Sequence, residues 1–248
     1  MSISQRRGST KKQKEIMMAE NIYTSGQYLE KNPTWHIEES AWKVRHILPM
    51  MYRHHLVPDT VCEVGCGSGE VIRLLQMRMS DACTFWGYDI SPQAIEMCKE
   101  RANERLHFKL ADIRREQDGF FDLILVLDVI EHLEDYFSFL RDIKPKSQYK
   151  LFHIPLEVSV QGVLRGKIFI RNRDLHGHLH YFTKETALRT LEDAGYEVLD
   201  YSYSPEYELY TTLLLTKLMK LPRRFFFVLH KDWAVRILGG SRLLVLAK

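Results

Sequence analysis

The stretch TVCEVGCGSGEVIRLL, running from Thr60 to Leu75, decides the fold. Val61, Cys62, Glu63 and Val64 have the composition of a short buried strand. Gly65, Gly67 and Gly69 punctuate a turn, and Val71, Ile72, Leu74 and Leu75 then recur at helical spacing. Strand, glycine-rich turn and helix in that order form the ligand-binding edge of a doubly wound α/β sheet. Glycine suits such a turn because it accepts positive φ and lets a ligand approach the backbone with no Cβ in the way.

The spacing narrows the ligand. A dinucleotide fingerprint asks for Gly-x-Gly-x-x-Gly/Ala, and here its third position falls on Glu70. The observed Glu63-x-Gly65-x-Gly67-x-Gly69 instead resembles motif I of the class I S-adenosylmethionine-dependent methyltransferases, of the small-molecule type 11/12/23 kind. The resemblance implies a Rossmann-like, seven-stranded, mostly parallel sheet with helices on both faces and an antiparallel last strand. It also implies S-adenosylmethionine as cofactor and S-adenosylhomocysteine as product. Gly65, Cys66, Gly67 and Gly69 would line the cofactor, with Glu63 near its ammonium.

Further motifs follow in the family's order. A second strand is predicted over Thr84–Tyr88, ending at Asp89 about twenty residues after Gly69, where a carboxylate can accept both ribose hydroxyls. YDISPQAIEMCKER resembles motif II, with Ile90 beside the cofactor and Ser91-Pro92 opening a helix. His107–Ala111 reads as strand three, and in the family the acid that follows (Asp112) meets the adenine amine while Ile113 stacks on the ring. Phe121–Leu127 is a continuous apolar run, as expected of a central parallel strand. Leu127 and Asp128 then lead into Asp128-x-x-Glu131-His132, which resembles the segment after strand four in methyltransferases acting on small molecules. The Asn/Asp-Pro-Pro-Tyr pattern of base and amide methyltransferases is absent, which counts against a nucleic-acid substrate.

The rest of the chain sets the frame. At 248 residues, 45% hydrophobic and 27% charged with net charge +3, it suits one α/β domain and carries too little positive charge to imply nucleic acid. Cys62, Cys66, Cys83 and Cys98 form no Cys-x-x-Cys pair and read as reduced thiols of a cytoplasmic protein, and the N-terminus lacks a signal-peptide apolar region. Residues 1–32 are predicted to be a basic tail and a helical lid, and 33–248 the methyltransferase domain. Within it, 56–155 form the cofactor half and 156–238 the acceptor-pocket insertion and cap. A helix is predicted from Pro33 to Leu56, placing Trp35 by the cofactor pocket as packing or as lid. Tyr149–Ile154 is the fifth strand, and LLVLAK the last, antiparallel beside strand six.

Methyl transfer from a sulfonium needs alignment above all, and a hydroxyl acceptor must also lose a proton. His132 after strand four, His153 at the end of strand five and His180 on the pocket rim are the candidate catalytic groups. His176, His178 and His180 alternate, but a hydrogen-bonded corner accounts for them and no metal is expected. The basic, apolar segment 205–238 has two readings: burial, with Leu213, Leu214, Phe226 and Val228 inside the protein, or a weak peripheral membrane contact. The expected function is methyl transfer to a small-molecule acceptor, at an oxygen of a sugar, lipid-linked intermediate or secondary metabolite. N-methylation of a small amine and a silent S-adenosylmethionine-binding scaffold are the alternatives, with a NAD-dependent dehydrogenase third. A monomer or homodimer with no nucleic-acid partner is expected.

Overall fold

Seven strands form a single sheet: β1 (Thr60–Val64), β2 (Thr84–Asp89), β3 (Leu106–Leu110), β4 (Phe121–Leu127), β5 (Ser147–Pro155), β6 (Val198–Pro205) and β7 (Ser241–Ala247). Their order is β3-β2-β1-β4-β5-β7-β6, with β3 to β5 mutually parallel and β7 antiparallel to both β5 and β6. This computed structural model describes residues 22–116, 119–209 and 214–248, without the side chains of residues 214–216 and 219. The tail expected at 1–14, the start of the lid helix and Leu213 lie outside those residues, as does the side chain of Leu214.

The central parallel strands are largely apolar because helices cover both faces, while the edge strand β3 (LHFKL) keeps polar side chains, and alternation divides the buried side chains between two layers. Cys62, Val64, Ile124, Val126 and Phe152 pack on α5 (Tyr136–Ile143) and α8 (Lys184–Asp193) through Phe139, Leu140, Ala187 and Leu191. Val61, Leu123, Leu125 and Leu151 pack on α2 (Ser40–Arg53) and α3 (Glu70–Gln76) through Val44, Ile47, Met50, Ile72 and Leu75. Strand β7 obeys the same rule, giving Leu243 and Val245 to the first layer and Leu244 and Leu246 to the second. The strand order reverses between β1 and β4, and the crevice at their carboxyl ends is where such sheets bind ligands. Helix α4 (Pro92–Cys98) begins as its sequence foretells, Pro92 in the first turn and the Ser91 hydroxyl accepting from the Ala94 amide at 3.3 Å.

Two elements differ from the sequence-based expectation. The helix expected from Pro33 starts at Ser40, because Trp35 and His36 take left-handed φ of 48° and 56° that no helix propagates through. The chain reaches α2 from a short helix α1 (Gln27–Lys31) by way of this turn. The insertion after β5 consists of two short helices, α6 (Val160–Arg165) and α7 (Lys167–His176), hinged at Gly166. In α9 (Leu214–Leu229) and α10 (Lys231–Leu238), Phe226 and Val228 are exposed rather than buried. Phe227 takes the inward place against the core, and at 3.6 residues per turn its two neighbours must point away from it.

Candidate functional site

The glycine-rich turn is held from beneath by β2. Gly65 and Cys66 donate their amides to the Tyr88 carbonyl at 2.8 and 3.1 Å. The Gly67 amide donates to Asp89 Oδ2 at 2.9 Å, and the Ser91 amide to Asp89 Oδ1 at 2.8 Å. Burial raises the Asp89 carboxyl above its ordinary pKa, and these amides pull against that rise. Gly67 has a φ of 53°, and a Cβ there would stand 2.4 Å from Cδ1 of Trp35, whose indole lies on the turn. Only glycine meets both demands.

Glu63, at the carboxyl end of β1, is 3% exposed and its Oε2 has no hydrogen-bond partner. Burial pushes its carboxyl up to about 8, while the Lys43 ammonium pulls the other way. A buried, partly unpartnered carboxyl on a cavity wall fits an incoming cation. Along the same edge Ile90 is exposed and Ile113 is buried. Asp112 accepts from the Arg114 amide at 3.0 Å and from its guanidinium at 2.6 to 3.0 Å. Burial works to raise that carboxyl, but the Arg114 bonds prevail and hold it below its ordinary value.

An ion cluster lies at the end of β4. Asp128 has a φ of 56°, which aims its carboxylate at three cationic or polar partners. Oδ2 meets Lys43 Nζ at 2.7 Å and Arg242 Nη1 at 2.8 Å, and Oδ1 meets His153 Nδ1 at 3.2 Å. Arg242 also reaches Glu39 at 2.7 Å and Glu206 at 3.5 Å, with its guanidinium 5.2 Å over the Trp42 ring. Burial would raise the Asp128 carboxyl, yet Arg242, Lys43 and His153 hold it well below the usual range. The cluster ties α2, β4, β5 and β7 together beside the crevice.

Histidines form the opposite wall. The amides of Leu179 and His180 donate to the Glu131 carbonyl at 2.7 and 3.1 Å, which carries His178 up to the segment after β4. The His132 and His178 rings meet edge to face with centroids 4.8 Å apart. His132 Nδ1 lies 2.9 Å from the Tyr23 hydroxyl, and His178 Nδ1 lies 3.0 Å from Glu157 Oε1. Glu131 is fully buried, and neither of its carboxyl oxygens has a hydrogen-bond partner. Burial first, then His178, lowers the His132 pKa to about 3, so its ring is neutral at pH 7.

Between the glycine turn and this wall is a cavity of about 420 Å³. Of the residues singled out from sequence, Glu63, Gly65, Cys66, Gly67, Leu127, Asp128, Trp35 and His132 line it. Asp89, Ile90, Asp112 and Ile113 stand outside that lining, along the carboxyl ends of β2 and β3, and Gly69 supports the turn from behind. His153 is buried behind Asp128 and Trp42, and His180 turns away to donate its Nε2–H to the Leu133 carbonyl at 2.9 Å and to pack on Tyr136. The alternating histidines therefore do not share a face: His176 and His178 line the cavity and His180 does not. Sequence reasoning missed Arg242, Glu39, Glu157 and Tyr23. Arg242 left one signal, a charge at the head of the apolar run SRLLVLA.

Known proteins share this fold. The pattern of a methyltransferase-domain family matches residues 35–201. Magnesium protoporphyrin IX methyltransferase from Synechocystis PCC 6803, solved with S-adenosylhomocysteine, superposes with a TM-score of 0.57 at 14% identity, over 86% of this chain and 85% of that one. The StiE O-methyltransferase domain gives 0.53 at 16% identity over 82% and 73%. The N-methyltransferase NodS from Bradyrhizobium japonicum WM9, also with S-adenosylhomocysteine, gives 0.50 at 15% identity over 82% and 84%. Fold, glycine turn and family pattern agree: the chain belongs to the methyltransferase-domain family, and its methyl donor is S-adenosylmethionine.

Proposed function

We propose that this enzyme methylates an oxygen of a small-molecule acceptor held in the cavity between the glycine turn and the histidine wall. The observation that carries the reading is the cavity itself: about 420 Å³, a small-ligand size, with the glycine turn on one side and Glu131, His132 and His178 on the other. S-adenosylmethionine brings a methyl group already activated on a sulfonium, so alignment is the main demand on the protein. Glu63 receives the donor's ammonium, Gly65 to Gly69 clear its methionine portion, and Leu127 and Asp128 border it. Asp89 takes the ribose, Ile90 borders it, and Asp112 with Ile113 takes the adenine at the open edge. Trp35 closes over the turn.

His132 orients the acceptor, being the one of the three candidate histidines that lines the cavity. His153 is a positioning residue that acts through Asp128, and His180 one that acts through the Leu133 segment. Acceptors of the sugar, lipid-linked or secondary-metabolite kind suit such a cavity. The test is S-adenosylhomocysteine release across a panel of such hydroxyl compounds and matched amines, with the product bond read by NMR. An O-methyl product is expected, and turnover confined to amines would overturn the oxygen assignment.

A second observation favours a membrane-borne acceptor. Among the described residues no helix is long and apolar enough to cross a membrane. Yet Leu218, Leu221, Phe225 and Val228 recur along one exposed stripe of α9, with Lys217 and Arg224 beside it. We propose that this face rests on an anionic lipid surface.

A further inference from the structure

We propose that Glu131, His132 and His178 form a binding site for one divalent transition-metal ion. One donor atom from each lies within 4.8 Å of the other two. A point between atoms so spaced is under about 3 Å from each, and bonds of about 2.0–2.2 Å therefore require shifts of less than about 1 Å. Two imidazoles and one carboxylate are the donor set of open zinc, manganese and iron sites, where the remaining positions take water or substrate.

The surrounding bonds occupy Nδ1 of each ring and leave the other nitrogen open to a ligand. His178 donates Nδ1–H to Glu157 Oε1 at 3.0 Å, which leaves the Nε2 lone pair available. Glu157 is itself held by the Asn172 side-chain amide. On the other ring, His132 Nδ1 sits 2.9 Å from the Tyr23 oxygen, and the Tyr23 hydroxyl can donate onward to the His176 carbonyl at 3.4 Å. With the Tyr23 hydroxyl donating to that carbonyl, His132 Nδ1 is the donor and Nε2 is free, 3.9 Å from Glu131 Oε1. Fixing the distal nitrogen of each ligating imidazole is how proteins orient metal-binding histidines. Glu131 supplies the independent sign: its carboxyl is fully buried and both oxygens lack a hydrogen-bond partner. A carboxyl in that state calls for a cation. The neighbouring ion cluster does not repel one, since Glu39, Asp128 and Glu206 outnumber Lys43 and Arg242.

All three residues line the cavity, so the open positions of the ion face the acceptor space. There the ion would hold an acceptor oxygen and lower the pKa of its hydroxyl. That role rests on the oxygen reading above, whereas binding of the ion does not.

The test uses the full chain stripped of metal and titrated with Mn2+ alone, with no methyl donor or acceptor present. Loss of the free-ion EPR signal counts the bound ion, and electron spin-echo modulation detects coordinated imidazole nitrogen. One Mn2+ per chain with nitrogen coupling is expected, displaced by stoichiometric Zn2+. Glu131→Gln and His178→Asn should each weaken binding at least tenfold while keeping the circular dichroism of the parent. Absence of stoichiometric binding, binding without nitrogen coupling, or folded variants of unchanged affinity would overturn the site. Should either variant unfold, the nitrogen coupling in the parent chain decides alone. Bound Mn2+ in a chain inactive towards hydroxyls would leave this site standing and sink the oxygen reading instead.

Discussion

Glu63 places an acid where the donor's ammonium arrives, and its protonation makes that contact measurable. Its carboxyl ordinarily titrates near 4.5, and burial moves it to about 8 in the cofactor-free protein. Its contribution to stability is thus complete below pH 4.5 and is lost as the pH climbs through about 8, at up to about 1.4 kcal/mol per unit. A bound ammonium favours the carboxylate, so ligand binding between those values must release a proton. Calorimetry of S-adenosylhomocysteine binding near pH 6, in buffers of different ionisation heat, should detect close to one proton released per chain. Affinity should rise with pH across the window, and Glu63→Gln should abolish both effects; unchanged proton release in Glu63→Gln would falsify the ammonium assignment. Glu63 and Asp89 were legible in sequence because each sits a fixed step from a glycine turn or a strand end. Arg242 was not, because its meaning comes from Asp128, 114 residues away.

At the level of elements, the clamp on Asp128 joins α2 to the last strand. Lys43 comes from α2, His153 from β5 and Arg242 from β7, so the carboxylate fixes three elements around the end of β4. Removing one charge from a buried cluster strands its partners, at a cost of about 3–5 kcal/mol. Asp128→Asn is the informative change, since asparagine tolerates the left-handed φ of 56° and therefore isolates charge from backbone strain. Urea unfolding should show a loss of that order with little change in slope; a loss under about 1 kcal/mol would mean solvent already screens the clamp. Elements whose signals are local were readable, as with Ser91-Pro92 opening α4. The start of α2 was not, because spacing alone cannot reveal that Trp35 and His36 turn left-handed to lay an indole on Gly67.

Over the whole molecule, the sheet was legible because the central strand β4 is a compact apolar run and its parallel neighbours sit in the motif order with helices between, and the antiparallel place of β7 came with the family resemblance rather than with its residues. The exposed face of α6, α9 and α10 was not. An apolar, basic segment has the same composition whether it packs inward or outward, and it is packing that turns Phe227, Ala234 and Val235 in. Val163 and Leu164 of α6 add to the exposed apolar surface, and Arg223 bonds Gln161 at 3.1 Å to join α6 to α9. Lys217, Arg224 and Lys231 are exposed on the same helices. Each such cation contributes about 1 kcal/mol beside an anionic leaflet, an attraction confined to a Debye length of about 10 Å at 0.1 M salt. Co-sedimentation should therefore be strong with phosphatidylglycerol vesicles at low salt, weak with phosphatidylcholine, and reversed near 0.5 M salt, about where screening closes to a few ångströms. Phe225→Glu with Leu221→Glu should abolish it while sparing S-adenosylhomocysteine binding, because both side chains are exposed and neither lines the cavity. Binding that is equal on neutral vesicles, or absent on anionic ones at low salt, would leave this face without a lipid partner and the acceptor a solute.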